Sequence, residues 1–346
     1  MLAPTLLALA VAPFGPFTKP IVVAQPARLA ITPALDGKLQ PEEWDELSDI
    51  EGGKTYFQWE PGTLHVAATV PMGRDVLISA DMRADGWLMG QDNLEVRVRY
   101  NNGTPEVQTR VLDGTQVEGP VWRDGAAFQA SSRAAAAADA GMWTLELTMR
   151  DPGKGMLIRD PARRMGIRID AVPTEEGSYE AFLPRVMTMI SLGLDRASAA
   201  PAGLTFKPEY KGRTVVPGES ARVRLTFSGK PEAAIKRIEM RTEGLSRDVT
   251  GTVGLPFPAF DNKNRAFVDY ETKVGKDAAL GYRVIRATVT DADGKESVVQ
   301  SSFEVAQAVD FEIVPSASVT AGQKAKLVVY VRSNTLKRVD GVISLA

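Results

Sequence analysis

The sequence predicts an all-β chain: an antiparallel β-sandwich, then an immunoglobulin-like β-sandwich, then a partial copy of the second. Three observations lead there. Residues 28–192 are built of short alternating or β-branched runs bounded by Gly, Pro, Asn and Asp, the pattern of antiparallel strands joined by tight turns. The same pattern resumes at Leu204 after a stretch of small and flexible residues. A segment of the second region then returns at an offset of 104 residues, the length of an immunoglobulin-type sandwich. At 346 residues the chain exceeds what one hydrophobic core usually serves, so two or three domains are expected.

In chain order, residues 1–24 hold a single charge, Lys19, and an apolar run from Leu6 to Val11 that is too short to span a bilayer and is followed by Pro13 and Pro16. With Val22-Val23-Ala24 preceding Gln25, the segment reads as an export signal peptide, which predicts a secreted, periplasmic or cell-surface protein. In 28–192 the clearest strands are Leu64–Val70, Val76–Ala80, Leu94–Tyr100, Trp143–Met149 and Met165–Ala171. Ala134–Ala138 has helical propensity but no apolar stripe, and reads as a loop or strand edge. Residues 193–203, with Gly193, Ser198, Pro201 and Gly203, read as a linker.

The second sandwich covers 204–306 and closes with a hairpin, in which Asp291-Ala292-Asp293-Gly294 supplies the turn between Ala287–Thr290 and Val298–Val305. Residues 307–346 are the partial copy. Val216-Pro217-Gly218-Glu219 returns as Thr320-Ala321-Gly322-Gln323, and Ile235-Lys236-Arg237-Ile238 as Leu336-Lys337-Arg338-Val339. About three of the seven strands such a sandwich needs are present in the copy, so either the chain is a fragment of a longer protein or its tail pairs with another sheet, since an unfinished sandwich would otherwise expose its strand edges.

Composition removes several function classes. The formal charge of −2 leaves no positive excess to neutralise a phosphate backbone, so nucleic acid is not an expected partner. The absence of cysteine removes disulfides, thiol catalysis and thiolate metal sites. His65 is the only histidine, which excludes a paired-histidine zinc motif, and a half-exposed position on an alternating strand is expected for it. No Gly-x-Ser-x-Gly elbow occurs. Gly52-Gly53-Lys54-Thr55 imitates the end of a phosphate loop, but Ser48 stands where the first glycine is needed, and Asp49 and Glu51 add negative charge. No later stretch is long and apolar enough for a membrane helix, and nothing requires an enzyme.

The stretch Leu35-Asp36-Gly37-Lys38-Leu39-Gln40-Pro41-Glu42-Glu43-Trp44 resembles the opening signature of family 9 carbohydrate-binding modules and their DOMON-like relatives. Thr63-Leu64-His65-Val66, Asp92-Asn93-Leu94-Glu95-Val96 and Gly141-Met142-Trp143-Thr144-Leu145-Glu146-Leu147 follow in the order of that family's strands. The resemblance covers about residues 30–192. It implies a β-sandwich there and a glycan as ligand, although the same superfamily includes haem-binding domains, for which His65 or a methionine would have to serve as axial ligand.

Sugar rings present apolar faces edged with hydroxyls, so a binder supplies flat aromatic surfaces beside amides, carboxylates or guanidinium groups. Trp87, in the polar loop between Asp81 and Asp92, and Trp122, in a loop with Pro120, Arg123 and Gly125, are the candidate ligand-facing pair. Arg83, Gln91 and Arg123 are the candidate polar partners, while Trp59 and Trp143 lie in strand-like runs and are expected to pack. Asp81, Asp85 and Asp92 are spaced like calcium ligands, calcium being the sole candidate cofactor; Arg83 at a ligand position repels such an ion and favours a plain hairpin. The expectation is thus a non-catalytic exported glycan binder, or an accessory module of a larger glycan-active protein. The alternative is a structural surface or assembly protein whose C-terminal β-domains contact another protein.

Overall fold

The computed structural model describes residues 21–22, 33–40, 43–82, 93–113, 121–151, 164–174, 188–197, 203–244, 252–314, 328–335 and 340. Two compact units divide between Arg196 and Ala197. Both are built almost wholly of antiparallel strands.

The strands of the first unit are β1 (Ile21–Val22), β2 (Glu46–Ile50), β3 (Gly53–Glu60), β4 (Thr63–Pro71), β5 (Arg74–Asp81), β6 (Asn93–Asn101), β7 (Thr104–Asp113), β8 (Val121–Asp124), β9 (Arg133–Asp139), β10 (Met142–Arg150), β11 (Arg164–Pro173) and β12 (Thr188–Ser191). A helix of six residues, α1 (Ala126–Ser131), which the sequence did not announce, buries Phe128. The strands form a five-stranded sheet of order β2-β3-β4-β10-β9 and a seven-stranded sheet of order β1-β12-β11-β5-β6-β7-β8. The alanine run is β9, paired among the described residues with β10 alone: extended pairing prevails because the run has no apolar stripe to bury as a helix. Turn chemistry sets register where it is strict. Asn102 and Gly103 both hold positive φ (47° and 90°), the two-residue turn that closes β6 on β7 at Asn101 and Thr104.

Alternation then places one apolar face of each sheet in the core. Phe57, Trp59, Leu64, Val66, Leu145 and Leu147 come from the first sheet, and Val76, Ile78, Leu94, Val96, Val98, Ile167 and Ile169 from the second, all buried. Trp143 ties the layers together, stacking on Tyr100 at 5.6 Å and donating its Nε1–H to the Arg74 carbonyl at 2.9 Å. Packing is also the role of Trp59, whose indole N–H reaches the Gly193 carbonyl.

His65 departs from expectation, being 1% exposed rather than half-exposed. Its register partners Gln58 and Thr148 flank it, Thr148 Oγ1 lies 2.9 Å from Nδ1, and Asp45 joins Gln58 to Arg196 beside them. The outer face of this sheet is therefore partly covered by the chain's own polar segments.

After β13 (Asp195–Ala197), the second unit runs through β14 (Leu204–Tyr210), β15 (Thr214–Val215), β16 (Ser220–Gly229), β17 (Ile235–Gly244), β18 (Val253–Pro256), β19 (Arg265–Lys273), β20 (Gly281–Asp291) and β21 (Glu296–Val305). One sheet is β14-β16-β19; the other runs β21-β20-β17-β18, with β15 parallel to β21. These are the two sheets of an immunoglobulin-like sandwich. Val223, Leu225, Phe227 and Val268 meet Ile238, Met240, Ile285, Val299 and Phe303 between them. On β16 and β19 buried and exposed residues alternate, as a sheet with one solvated face requires. The hairpin β20–β21 turns at Asp291–Gly294, as the sequence predicts, with Gly294 at φ +83°.

The tail holds one more hairpin, β22 (Val309–Val314) with β23 (Val328–Ser333). The repeated Leu336–Val339 segment and the leader 1–20 lie outside the described residues.

Candidate functional site

The central strands β5 and β6 carry apolar side chains toward the core and polar ones on the opposite face of the seven-stranded sheet. That outer face holds Asp75, Ser79 and Asp81 on β5 and Asn93, Glu95 and Arg97 on β6, each no more than 6% exposed. Burying so many polar groups is costly unless they satisfy one another, and rows across the strands do this. In one row Ser79 and Glu95 are register partners, Ser79 Oγ donating to Glu95 Oε1 at 3.3 Å, and Arg110 on β7 pairs with the other carboxylate oxygen. In another, Asp75 accepts from Arg97 Nε at 2.6 Å, Arg99 Nη2 at 3.2 Å and Thr174 Oγ1 at 2.7 Å. Beside Asp75 lies a cavity of about 20 Å³, bounded by Arg97, Arg99, Glu106 and Gln108 and large enough for about one water. Toward β11, Arg168 pairs with Asp170.

The same sheet has one end from which two connections spring. β5 leads to β6 through residues 83–92, and β7 to β8 through 114–120; because β6 and β7 run antiparallel, both connections leave the end where Asp81 faces Asn93. The expected site residues divide accordingly. Trp87, Arg83, Gln91, Asp85 and Asp92 fall in 83–92, outside the described residues. Trp122 is corrected from loop to strand: it lies in β8, register partner of Leu112, because Val121–Asp124 extends the sheet instead of breaking it. Arg123 is exposed on the same strand. Asp81 is likewise no loop residue but the buried last residue of β5. Among the described residues no group of three acidic or histidine side chains could hold a metal.

Sequence reasoning missed Asp75, Ser79, Glu95, Arg97 and Arg110. The signal was there in Asn93-Leu94-Glu95-Val96-Arg97-Val98-Arg99, where every second residue is polar and all of those fall on one face.

The opening motif has a different role. Glu146 on β10 accepts the backbone N–H of Asp36 at 2.8 Å and of Gly37 at 2.5 Å on Oε2, and the Trp44 Nε1–H at 3.1 Å on Oε1. Burial of this carboxyl raises its pKa above the ordinary value, and the donors from Gly37, Trp44 and Asp36 act in the opposite direction. Trp44, 5% exposed, is thereby a packing residue that docks the 33–45 segment on the five-stranded sheet.

No family model and no curated protein matches the chain. Among solved structures it is similar to the alkylpurine DNA glycosylase AlkC of Pseudomonas fluorescens, bound to DNA containing an abasic-site analogue (14% identity, TM-score 0.24, 32% of each chain). It is also similar to a CARDB domain of Pyrococcus furiosus in complex with di-metal ions (15% identity, TM-score 0.20, 30% of this chain and 87% of that one). A third likeness is to the PmoD soluble domain of a Methylocystis species (18% identity, TM-score 0.19, 30% of this chain and 90% of that one). The match to the glycosylase thus spans about a third of its length, and at these scores none of the likenesses bears on function.

Proposed function

We propose that the first unit is a non-catalytic carbohydrate-binding module of an exported protein, with its ligand held at the end of the seven-stranded sheet where β5 and β7 finish and β6 and β8 begin. The observation that supports this reading is topological: β5, which leads into the segment with Trp87, and β7, which leads toward Trp122 on β8, finish at the same end of one sheet. Flat aromatic faces are what a sugar's apolar face demands; Asp81 and Asn93 at that end have no exposed surface and serve the packing of the sheet. Behind that end, the Ser79–Glu95–Arg110 row holds the strand spacing rigid, as a binding surface needs. Arg123 is exposed on β8 but, as the strand neighbour of Trp122, faces the opposite side of the sheet and is not its partner at a ligand. Export belongs to the same reading and rests on the leader pattern of residues 1–24. Among the described residues no helix is long and apolar enough to cross a membrane.

The test is retention on a panel of immobilised polysaccharides. Wild-type protein is expected to be retarded by at least one glycan, and Trp87→Ala and Trp122→Ala each to weaken that retention about tenfold, the loss of one aromatic stacking contact of 1–1.5 kcal/mol. No retention on any glycan, or retention indifferent to both substitutions, would overturn the reading.

A further inference from the structure

The polar face of the seven-stranded sheet carries a second cluster at its other end, where β6 turns into β7. Alternation along Arg97-Val98-Arg99 and Glu106-Val107-Gln108 sets four polar side chains on the outer face, and register pairs Arg97 with Gln108 and Arg99 with Glu106. Asp75, near the start of β5, completes the cluster. It lies six residues from Asp81, about 20 Å of extended strand, so the cluster is well separated from the end that leads to Trp87 and Trp122.

The cluster has a held half and an open half. Asp75 has no exposed surface and Arg97 is 6% exposed. The Asp75 carboxylate takes both Arg97 and Arg99, while the Pro173 carbonyl accepts Arg97 Nη2 at 3.3 Å and the Thr174 carbonyl accepts Arg99 Nη2 at 2.8 Å. Both guanidinium planes are therefore fixed before any ligand arrives. The open half has hydrogen-bonding capacity to spare. Glu106 accepts from Asn101 Nδ2 on Oε1 at 2.6 Å, which leaves its other oxygen; among the described residues neither the Gln108 amide nor Arg99 Nη1 has a partner. These groups bound the cavity beside Asp75, whose room is that of one oxygen atom.

We propose that this cavity is a second sugar-binding subsite of the first unit: it takes one hydroxyl of a neutral vicinal diol, and the neighbouring hydroxyl stays outside between Glu106 and Gln108. A guanidinium only donates, a carboxylate only accepts, and an amide does both, so a pair of hydroxyls, each donor and acceptor at once, uses every spare group. Charge selects the same ligand. Arg97 and Arg99 balance Asp75 and Glu106, and an anion would meet the Glu106 carboxylate. Size agrees, because a carboxylate or phosphate group needs more room than one oxygen. The inference goes beyond the reading of the sheet end: it shares the ligand class with that reading but none of its residues, and each stands or falls without the other.

The probes are the methyl glycosides of mannose, galactose and glucose, which between them offer cis and trans diols, titrated into the full chain labelled with nitrogen-15. The Arg99 Nε–H and Gln108 side-chain amide signals report the site by NMR. At least one sugar is expected to move both signals saturably, with the roughly millimolar affinity that a few hydrogen bonds without a stacking partner supply. A deoxy analogue lacking one hydroxyl of the diol should bind about tenfold more weakly. Gln108→Ala and Glu106→Gln, both at exposed positions and so harmless to the fold, should have a similar effect, read on Arg99. Trp122→Ala should leave the titration unchanged, which separates this subsite from the sheet end: loss of polysaccharide retention with these shifts intact would defeat only the sheet-end reading. Absence of saturable shifts with all three sugars would sink the subsite, as would shifts indifferent to both substitutions. Sodium sulfate moving the same signals at lower concentration than any sugar would also sink it, by showing an anion site.

Discussion

Replacing Glu146 probes how the 33–45 segment is held. The carboxylate serves three donors, and Glu146→Ala leaves the Gly37 N–H and the Trp44 indole N–H buried without an acceptor; the Asp36 N–H is part-buried and can recover water. At roughly 1–3 kcal/mol per stranded buried donor, the alanine variant should lose about 4 kcal/mol, a large share of the roughly 5–15 kcal/mol that holds a domain together. Glu146→Gln is the finer instrument. Its amide oxygen can serve the two backbone donors, but its NH₂ has no lone pair for the Trp44 N–H, so about 1 kcal/mol is expected. The protonated acid keeps that lone pair, which separates Gln from the wild type even in acid. Burial holds the folded-state pKa above the ordinary 4.5, so the native state retains its proton longer than the unfolded chain. The stability associated with that proton is complete below 4.5 and declines as the pH rises through the folded value, so the gap between wild type and Gln should narrow over that interval. Urea unfolding followed by tryptophan fluorescence between pH 4 and 8 reads both effects. An alanine variant within about 1 kcal/mol of wild type, or a gap that widens with pH, would refute the latch.

Two further substitutions test the strand packing. Asp75→Asn removes the charge facing Arg97, whose side chain is 7% exposed, and turns an N–H₂ toward donors that need an acceptor; a loss of about 3 kcal/mol in urea unfolding is expected, and less than 1 would mean that water takes over. Gly53→Ala would set a Cβ 1.7 Å from the Thr69 carbonyl oxygen, forcing β3 from β4 at a cost of about 3 kcal/mol, while Gly254→Ala, with nothing within 4 Å, serves as the neutral comparison; equal melting temperatures would refute the clash.

Gly53 also explains a sequence feature that chemistry could not. Gly52-Gly53-Lys54-Thr55 imitates a phosphate loop, yet Gly52 takes the turn at φ +74° and Gly53 opens β3 against the β4 backbone, so the pair is spent on a hairpin. Much of the fold was legible for the same kind of reason. The runs at Leu64–Val70, Val76–Ala80, Leu94–Tyr100, Trp143–Met149 and Met165–Ala171 are each strands, because alternation and turn residues are local signals that survive tertiary context. Burial of a polar strand face was not legible. His65 alternates like a half-solvated residue, and only the pairing of β4 with the sequence-distant β10, beside its neighbour β3, shows that Gln58, Thr148 and the Asp45–Arg196 pair crowd around it.

The site divides along the same line. Aromatic residues in polar surroundings draw the eye to segments between strands, and that criterion selected Trp87 and Trp122 while missing that 121–124 continues the sheet. It also passed over Ser79, Glu95 and Arg110, which lie 16 and 15 residues apart in sequence and meet only when β5, β6 and β7 fold side by side. Such rows are invisible residue by residue but follow from register. Once Asp81 is set opposite Asn93, each step of two along β5 and β6 must bring the next outer-face pair together, first Ser79 with Glu95, then Leu77 with Arg97. A shift of one residue would turn Val76, Ile78, Val96 and Val98 out of the core and the acidic and basic groups into it. The polar rows and the hydrophobic core therefore enforce one alignment, and that alignment is what brings the 83–92 and 114–120 connections to a common end of the sheet.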